Sequence, residues 1–248
     1  MIEFRNVSTG YDKADVIHNI SFTVPEASVT ALVGPNGCGK TTLLRAAAGQ
    51  LPLHSGEIIL EGKPVADYER RELARTAAFM PQVRYVPAIS VAALVAHGRF
   101  PYLGFSRRMR AEDKEAVRRA LEATGTSGWA QRDLRELSGG ERQRVYIAMA
   151  IAQDTKLVFL DEPTTYLDPG RQFELLELIS SLTSSGKTVV MVLHDLAHAL
   201  RYSSQIAVMD KGRLIKCAVP HEIYESGEIE RVFSVRVHKS GSDYYISP

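Results

Sequence analysis

The residues best suited to chemistry form one glycine-rich segment, Gly34-Pro35-Asn36-Gly37-Cys38-Gly39-Lys40-Thr41. It matches G-x-x-x-x-G-K-[ST], the pattern of a loop that binds phosphate groups. Glycines let backbone amides turn inward around an anion, and a following helix adds partial positive charge. Lys40 would supply a cation for the β- and γ-phosphates, and Thr41 a hydroxyl ligand for Mg²⁺. The expected nucleotide contacts are Gly34, Asn36, Gly37, Cys38, Gly39, Lys40, Thr41 and Thr42.

Two acidic residues lie at the end of a predicted strand farther along the chain. The apolar run Leu157–Leu160 leads directly into Asp161 and Glu162. In parallel sheets, ligands gather at the carboxyl ends of the strands. Asp161 would then reach the magnesium ion, and Glu162 would orient and deprotonate a water beside the γ-phosphate. Alone, such a pair is better explained as the start of a solvated loop, but the upstream phosphate loop makes catalysis the stronger interpretation.

A second candidate anion site has the sequence L-S-G-G-E-R-Q-R and covers residues 137–144. Ser138 would cap a helix whose first amides are left exposed by Gly139 and Gly140. By itself, Ser138 with Glu141 could be only a capping box.

Residues 137–144 resemble the signature motif of the ATP-binding-cassette (ABC) ATPases. In this family the signature of one subunit closes over the γ-phosphate held by another. The resemblance therefore implies a head-to-tail homodimer with two ATP molecules between the chains. In such a dimer Ser138, Gly139, Gly140 and Glu141 would contact nucleotide.

Other motifs of the family follow in order. Tyr11 stands where the family places an aromatic ring against adenine, although an exposed turn aromatic would explain it too. Gln82 matches the Q-loop glutamine, which touches Mg²⁺ and senses the membrane partner. Asp168 closes the D-loop, and His194 matches the switch histidine that contacts the γ-phosphate. The resemblance thus implies an ATP hydrolase with catalytic residues Lys40, Gln82, Glu162 and His194 and with magnesium ligands Thr41, Gln82 and Asp161.

Strands and helices alternate along the chain in a way that would position these residues. Strands are predicted at 2–7, 19–24, 28–33, 56–60, 76–80, 157–160, 188–193, 205–209 and 213–217, with a turn at 10–15. Helices are predicted at 40–48, 90–97, 112–123, 138–153, 169–182 and 195–202. The alternation predicts an α/β fold with a mostly parallel sheet covered on both faces. The resemblance implies the P-loop NTPase fold of ABC ATPases, as a single domain over 1–248 with an antiparallel β subdomain and a helical subdomain inserted at about 83–152.

The composition excludes several classes of protein. The chain has 248 residues, and its 30 Lys and Arg against 29 Asp and Glu give no sign of a nucleic-acid partner. Cys38 and Cys217 lack metal-ligand spacing and are typical of reduced cytosolic thiols. The sequence shows neither a signal segment nor an apolar run long enough to span a bilayer. We therefore expect a cytoplasmic protein, peripheral on the inner face of the cell membrane.

Three narrower features are similar to importers of ferric siderophores, haem and cobalamin. They are residues 97–102, Tyr166 where many cassettes have a small residue, and residues 193–203. The resemblance implies two transmembrane permease subunits as partners and an indirect link to a substrate-binding protein. Alternatively, these residues have only a structural role and pack within the helical insertion. An importer of another substrate, an exporter subunit, a soluble ABC ATPase and a non-enzymatic nucleotide sensor are the alternatives.

Cys38 stands where the family more often has serine. A thiol at a helix N-terminus is expected to have a lowered pKa, so that alkylation would block ATP binding and bound ATP would protect the thiol. A small residue tolerated for its backbone amide is the alternative. Residues 235–238 and 244–246 are predicted to form a small hairpin, to which we assign no function.

Overall fold

The computed structural model describes residues 1–12, 14–82, 86–104, 108–241 and 243–248. The strands in these residues are β1 Ile2–Tyr11, β2 Ala14–Val24, β3 Val29–Val33, β4 Ser55–Leu60, β5 Lys63–Pro64, β6 Ala77–Met80, β7 Leu157–Leu160, β8 Thr188–Val192, β9 Gln205–Asp210, β10 Arg213–Ala218, β11 Arg236–Ser240 and β12 Asp243–Ser247. The α-helices are α1 Lys40–Ala47, α2 Arg70–Thr76, α3 Val91–His97, α4 Ala111–Ala123, α5 Gly139–Ala152, α6 Pro169–Ser184, α7 Leu196–Tyr202, α8 Pro220–Ser226 and α9 Glu228–Phe233. Short 3-10 helices lie at Val65–Asp67, Phe100–Tyr102, Ser127–Trp129 and Leu134–Glu136.

The described residues build a central sheet in the strand order β10-β9-β3-β8-β7-β6. Strands β6, β7, β8, β3 and β9 are parallel, and β10 adds an antiparallel edge. Every residue of β3, β7 and β8 is buried, which explains their continuous apolar runs. Val29, Ala31 and Val33 pack with the helices of one face, whereas Leu32 packs with α1 and the second sheet on the other. The predicted α/β fold with a mostly parallel sheet is confirmed.

The second sheet is antiparallel and has the order β2-β1-β4-β5. The prediction of a long turn at 10–15 is wrong, because β1 continues to Tyr11 and β2 starts at Ala14, which is paired with it. The β1–β2 register shifts three times between Phe4 and Gly10. Each bulge changes the face on which side chains alternate, so the sequence there lacks the regular period of a strand.

Helices α3, α4 and α5 form an insertion between β6 and β7. Ser90 and Ser138 cap α3 and α5, each accepting a hydrogen bond from the amide three residues later. The predicted subdomain boundary at residue 83 lies outside the described residues. Strand β1 ends four residues after the predicted 2–7, and β2 begins five residues before the predicted 19–24. The other predicted helices and strands agree with the structure to within two residues at each end.

Some elements carry little periodic signal, and the sequence did not predict them. Helix α2 has Leu73 as its single large apolar residue among charged ones, and α8 and α9 are short. The predicted C-terminal hairpin is confirmed as β11 and β12. None of the described helices combines the length and the apolar composition that crossing a membrane requires.

A buried ion pair connects the parts of the insertion. Arg99, just after α3, donates from Nε to Asp113 of α4 at 3.0 Å and from Nη1 to the Ala152 carbonyl of α5 at 2.9 Å. Burial acts to raise the pKa of Asp113, but the Arg110 amide and the Arg99 guanidinium outweigh it and hold that pKa below its usual value. Both side chains of the pair are less than one-tenth exposed. Arg99 therefore anchors three helices through charge and hydrogen bonds that water cannot replace.

We predict that Arg99→Ala lowers the free energy of unfolding by about 3 kcal/mol, because it leaves the Asp113 carboxylate buried without its cation. Equilibrium unfolding in urea measures this loss. The matched control is Arg118→Ala, since Arg118 pairs with Glu115 and Glu122 on the exposed face of α4. The control should have a much smaller effect. Equal losses in the two variants would contradict an anchoring role for Arg99.

Candidate nucleotide site

The phosphate loop joins β3 to α1 and borders a cavity of about 210 Å³. Gly39 caps α1 with a left-handed backbone, φ 101°, and a Cβ there would lie 2.5 Å from Cγ2 of Ile17. Glycine satisfies both constraints at the point where the chain enters the helix. The cavity is lined by Val16, Asn36, Gly37, Gly39, Lys40, Thr41, Thr42, Glu162 and His194. A helix N-terminus and a lysine at one cavity favour an anionic ligand.

Lys40 is the buried cation of this loop, with 6% of its surface exposed. Its Nζ donates hydrogen bonds to the carbonyl oxygens of Gly34 at 2.6 Å and Pro35 at 3.0 Å. The ammonium is therefore satisfied within the loop. Phosphate oxygens could replace these carbonyls and form stronger, charge-assisted hydrogen bonds.

Thr41 and Asp161 meet at the carboxyl end of β7. The Thr41 hydroxyl donates to Oδ1 of Asp161 at 2.8 Å, and Asp161 is 1% exposed. Burial raises the pKa of Asp161 against the opposing hydrogen bond from Thr41. A divalent cation would relieve the cost of burying this carboxylate, and Mg²⁺ prefers carboxylate and hydroxyl oxygens. The pair therefore has the chemistry of a magnesium site.

Glu162 lies between side chains from two neighbouring strands. Its Oε2 accepts a hydrogen bond from Nε2 of Gln82 at 2.8 Å, and its Oε1 lies 2.6 Å from Nε2 of His194. Strands β6, β7 and β8 end two residues before Gln82, Glu162 and His194, respectively. The parallel pairing sets Met80 beside Leu160 and Leu160 beside Met191, so the three side chains follow neighbouring positions and meet beyond the carboxyl ends of the strands.

The backbone and the second layer of contacts hold Glu162 in place. Its φ is 54°, a left-handed value that non-glycine residues seldom adopt and that tends to occur at functional sites. Thr165 donates from its hydroxyl to Oε2 of Glu162 at 3.2 Å. Gln143 of α5 donates to the carbonyl oxygens of Glu162 and Pro163 at 3.3 and 2.9 Å. The sequence reasoning assigned no role to Gln143 or Thr165, although Gln143 stands within the signature segment.

The signature segment forms a complete helix cap. The Ser138 hydroxyl accepts from the Glu141 amide at 3.3 Å, and the Glu141 carboxylate accepts from the Ser138 amide at 2.7 Å. This bond from the Ser138 amide holds the pKa of Glu141 below its usual value. Among the described residues that line the phosphate-loop cavity, none comes from Ser138, Gly139, Gly140 or Glu141. The structure thus does not bring the two predicted anion sites of one chain together.

The other predicted contacts lie around the cavity or apart from it. Asn36 and Gly37 are exposed at its rim, and Thr42 is buried in its wall. Tyr11 is 46% exposed at the end of β1, and its hydroxyl accepts a hydrogen bond from Arg45 of α1 at 3.3 Å. Asp168 caps α6 by accepting from the Arg171 amide at 3.1 Å.

The expectation that the helix N-terminus lowers the pKa of the Cys38 thiol is wrong. Cys38 is 3% exposed and belongs to the core between α1 and the antiparallel sheet. Burial raises the pKa of its thiol, although Lys40 acts in the opposite direction. Helix α1 is capped by Gly39, so the thiol precedes the cap and sits in the apolar core. The alternative, a small residue tolerated at this position for its backbone amide, agrees with the burial of Cys38.

We predict that iodoacetamide modifies Cys38 far more slowly in the folded protein than in urea, because the thiolate is disfavoured and shielded. Mass spectrometry of the peptide that contains residue 38 follows the reaction. Cys217 serves as the internal comparison, since burial raises its pKa to about 12. Cys38 modification in the native protein as fast as that of free cysteine would contradict this prediction.

Comparison with known proteins agrees with these motifs and this fold. Residues 17–165 match the family model described as ABC transporter. The chain is 41% identical to the ferric enterobactin transport ATP-binding protein FepC of Escherichia coli (strain K12), over 94% of this chain and 86% of that protein. It is 39% identical to the iron(3+)-hydroxamate import ATP-binding protein FhuC of Bacillus subtilis (strain 168), over 93% of this chain and 87% of that protein.

The fold is also similar to a solved structure. The cbiO1 protein of Clostridium perfringens, part of the ABC transporter complex cbiONQ, superimposes with a TM-score of 0.80 at 27% identity, over 93% of this chain and 92% of that one. The resemblance that the motifs carried is therefore confirmed. The chain belongs to the ABC transporter family and is one of its ATP-hydrolysing subunits.

Proposed function

We propose that this chain powers the import of a ferric siderophore, haem or cobalamin by hydrolysing ATP. The convergence of Gln82 and His194 on the Glu162 carboxylate, beside the phosphate loop, carries the catalytic part of the proposal. The relatives FepC and FhuC, whose names state ferric enterobactin transport and iron(3+)-hydroxamate import, support the cargo class.

Nucleotide binding is assigned to the phosphate loop. The triphosphate would take the amides at the N-terminus of α1, and Lys40 would exchange its bonds to Gly34 and Pro35 for phosphate oxygens. Thr41 and Asp161, with Gln82, would hold Mg²⁺, which supplies charge neutralisation on the β- and γ-phosphates when bound. Tyr11 would stack on adenine.

Glu162 is assigned as the general base. It would orient the attacking water and accept its proton as the water oxygen bonds to the γ-phosphorus. Its Oε2 accepts hydrogen bonds from both Gln82 and Thr165, so the water would bond to Oε1, the oxygen that contacts His194. His194 is 45% exposed and lines the cavity, which suits a side chain that leaves Glu162 and donates to the γ-phosphate.

The nucleotide site is assigned as half of a shared one. Because the residues of the signature segment do not line the cavity of their own chain, a second copy would have to supply Ser138, Gly139, Gly140 and Glu141. Two copies arranged head to tail would enclose two nucleotides. Closure on ATP and opening after hydrolysis would then drive two permease subunits at the inner face of the cell membrane.

The sequence favours this role over a soluble cassette ATPase. Proteins of that kind that act on DNA or ribosomes often carry two cassettes, long coiled coils or zinc inserts. Residues 1–248 contain no heptad run and no cysteine cluster, and the names of the relatives FepC and FhuC state transport and import.

We predict that Glu162→Gln retains ATP binding but lowers the rate of hydrolysis by about 100-fold or more, because an amide cannot accept the proton of water. Fluorescent nucleotide titration and phosphate release measure the two properties. Glu177→Gln, the same change at an exposed position of α6, is the control and should hydrolyse at the wild-type rate. A Glu162→Gln protein with wild-type turnover would show that another group is the base.

The transport role predicts a stable complex with permease subunits. A tagged chain purified from detergent-solubilised membranes should retain two copies of a many-helix protein, identified by mass spectrometry. In vesicles that contain this complex and its binding protein, ATP should drive uptake of one chelate among ferric siderophores, haem and cobalamin. Recovery of the chain without any integral membrane protein would contradict the proposed role.

A further inference from the structure

A second cavity lies between α6, α7 and the C-terminal hairpin. Its volume is about 350 Å³, which is within the range of small-molecule sites. The residues that line it include Phe173 of α6, His198 and Arg201 of α7 and Tyr244 of β12. In the described part of the chain, no residue lines both this cavity and the one at the phosphate loop. The cavity is therefore separate from the site assigned to ATP.

His198 is a buried polar residue in the wall of this cavity. It is 7% exposed, and its Nδ1 is covered from solvent and has no hydrogen-bond partner among the described residues. Oδ2 of Asp195 lies 3.8 Å from this nitrogen, which is too far for a hydrogen bond. An unpaired buried polar group costs about 1–3 kcal/mol. The imidazole therefore favours a ligand that brings a polar group to it.

Aromatic rings form another part of the wall. The Phe173 ring is 41% exposed and meets the His198 ring edge to face, with centroids 5.1 Å apart. Tyr244 adds a further ring from the hairpin. The faces of such rings carry partial negative charge and attract organic cations. The rings therefore suit a ligand that has both an apolar body and a positive charge.

The charged groups of the wall also favour a cation. Two carboxylates, Asp195 and Asp243, line the cavity together with one guanidinium, that of Arg201. Arg201 forms an ion pair with Asp243, and no lysine or arginine of the described residues pairs with Asp195. The wall thus has one carboxylate in excess, and a positively charged ligand would neutralise it.

Two helices begin beside the cavity, but their N-termini are already capped. Asp168 accepts a hydrogen bond from the Arg171 amide of α6 at 3.1 Å, and Asp195 accepts one from the His198 amide of α7 at 2.9 Å. The first residue of α6 is Pro169, which has no amide hydrogen. An anion would compete with both caps, so the helix ends do not reverse the preference for a cation.

We propose that this cavity binds a small organic ammonium ion with an apolar body. An ammonium group has up to three N–H donors, so it can donate to Oδ2 of Asp195 and to Nδ1 of His198 at once. The Asp195 side chain is 49% exposed and can move to admit the group between these two atoms. The apolar body packs against Phe173 and Tyr244.

The first test compares three probes of similar size on the full-length protein. Benzylamine is a cation at pH 7, benzyl alcohol is neutral, and benzoate is an anion. Saturation-transfer NMR titrations measure the dissociation constant of each probe. Benzylamine should bind at least tenfold more tightly than the other two, because only it supplies a positive charge and several donors. Equal binding of benzyl alcohol or benzoate would overturn the proposal.

The second test locates the bound cation. Asp195→Asn removes the charge but keeps a side chain that caps helices equally well, and His198→Phe keeps an aromatic ring without its nitrogens. Each variant should weaken benzylamine binding at least tenfold. Asp67→Asn, the same change at an exposed position of the first 3-10 helix, is the matched control and should bind like the wild type. Wild-type affinity in Asp195→Asn, or an equal loss in Asp67→Asn, would rule out this cavity as the ammonium site.

Discussion

The Glu162 carboxylate depends on a geometry that no single element can provide. One oxygen accepts a hydrogen bond from Gln82 and the other contacts His194, and these side chains follow β6 and β8 on either side of β7. Their meeting requires the register in which Met80, Leu160 and Met191 lie side by side on three parallel strands, because the loops that follow these positions carry the three side chains. The buried strands β7 and β8 hold that register, so the core that stabilises the sheet also positions the proposed base.

The helical insertion is attached to this centre at a few points. Gln143 ties α5 to the carbonyls of Glu162 and Pro163, and the turn of Tyr166 lies against the start of the same helix. Arg99 in turn joins the ends of α3 and α5 to α4. A displacement of the insertion relative to the sheet would therefore act on the backbone of the proposed base through α5.

The parts of the site that could be predicted from the sequence are those formed by residues at short, characteristic spacings along the chain. Local sequence patterns are enough to identify the phosphate loop, the acid pair after β7 and the apolar strands. The contacts of Gln143 and Thr165 could not be predicted, since a glutamine on a helix and a threonine in a turn have many possible partners. The prediction of a turn at 10–15 was wrong because bulges in β1 and β2 interrupt the alternation of apolar and polar residues. The prediction of a lowered pKa for Cys38 was wrong because burial in the core outweighs proximity to the helix N-terminus.

The hydrogen bonds between Lys40 and the loop carbonyls determine whether the phosphate loop can fold before a nucleotide binds. A buried ammonium without acceptors would make folding depend on the arrival of a nucleotide. Here the carbonyl oxygens of Gly34 and Pro35 are those acceptors, so the Lys40 ammonium has hydrogen-bond partners before any ligand binds. Nucleotide binding then exchanges one set of oxygen acceptors around the ammonium for another, so the loop can fold first and take up its ligand afterwards.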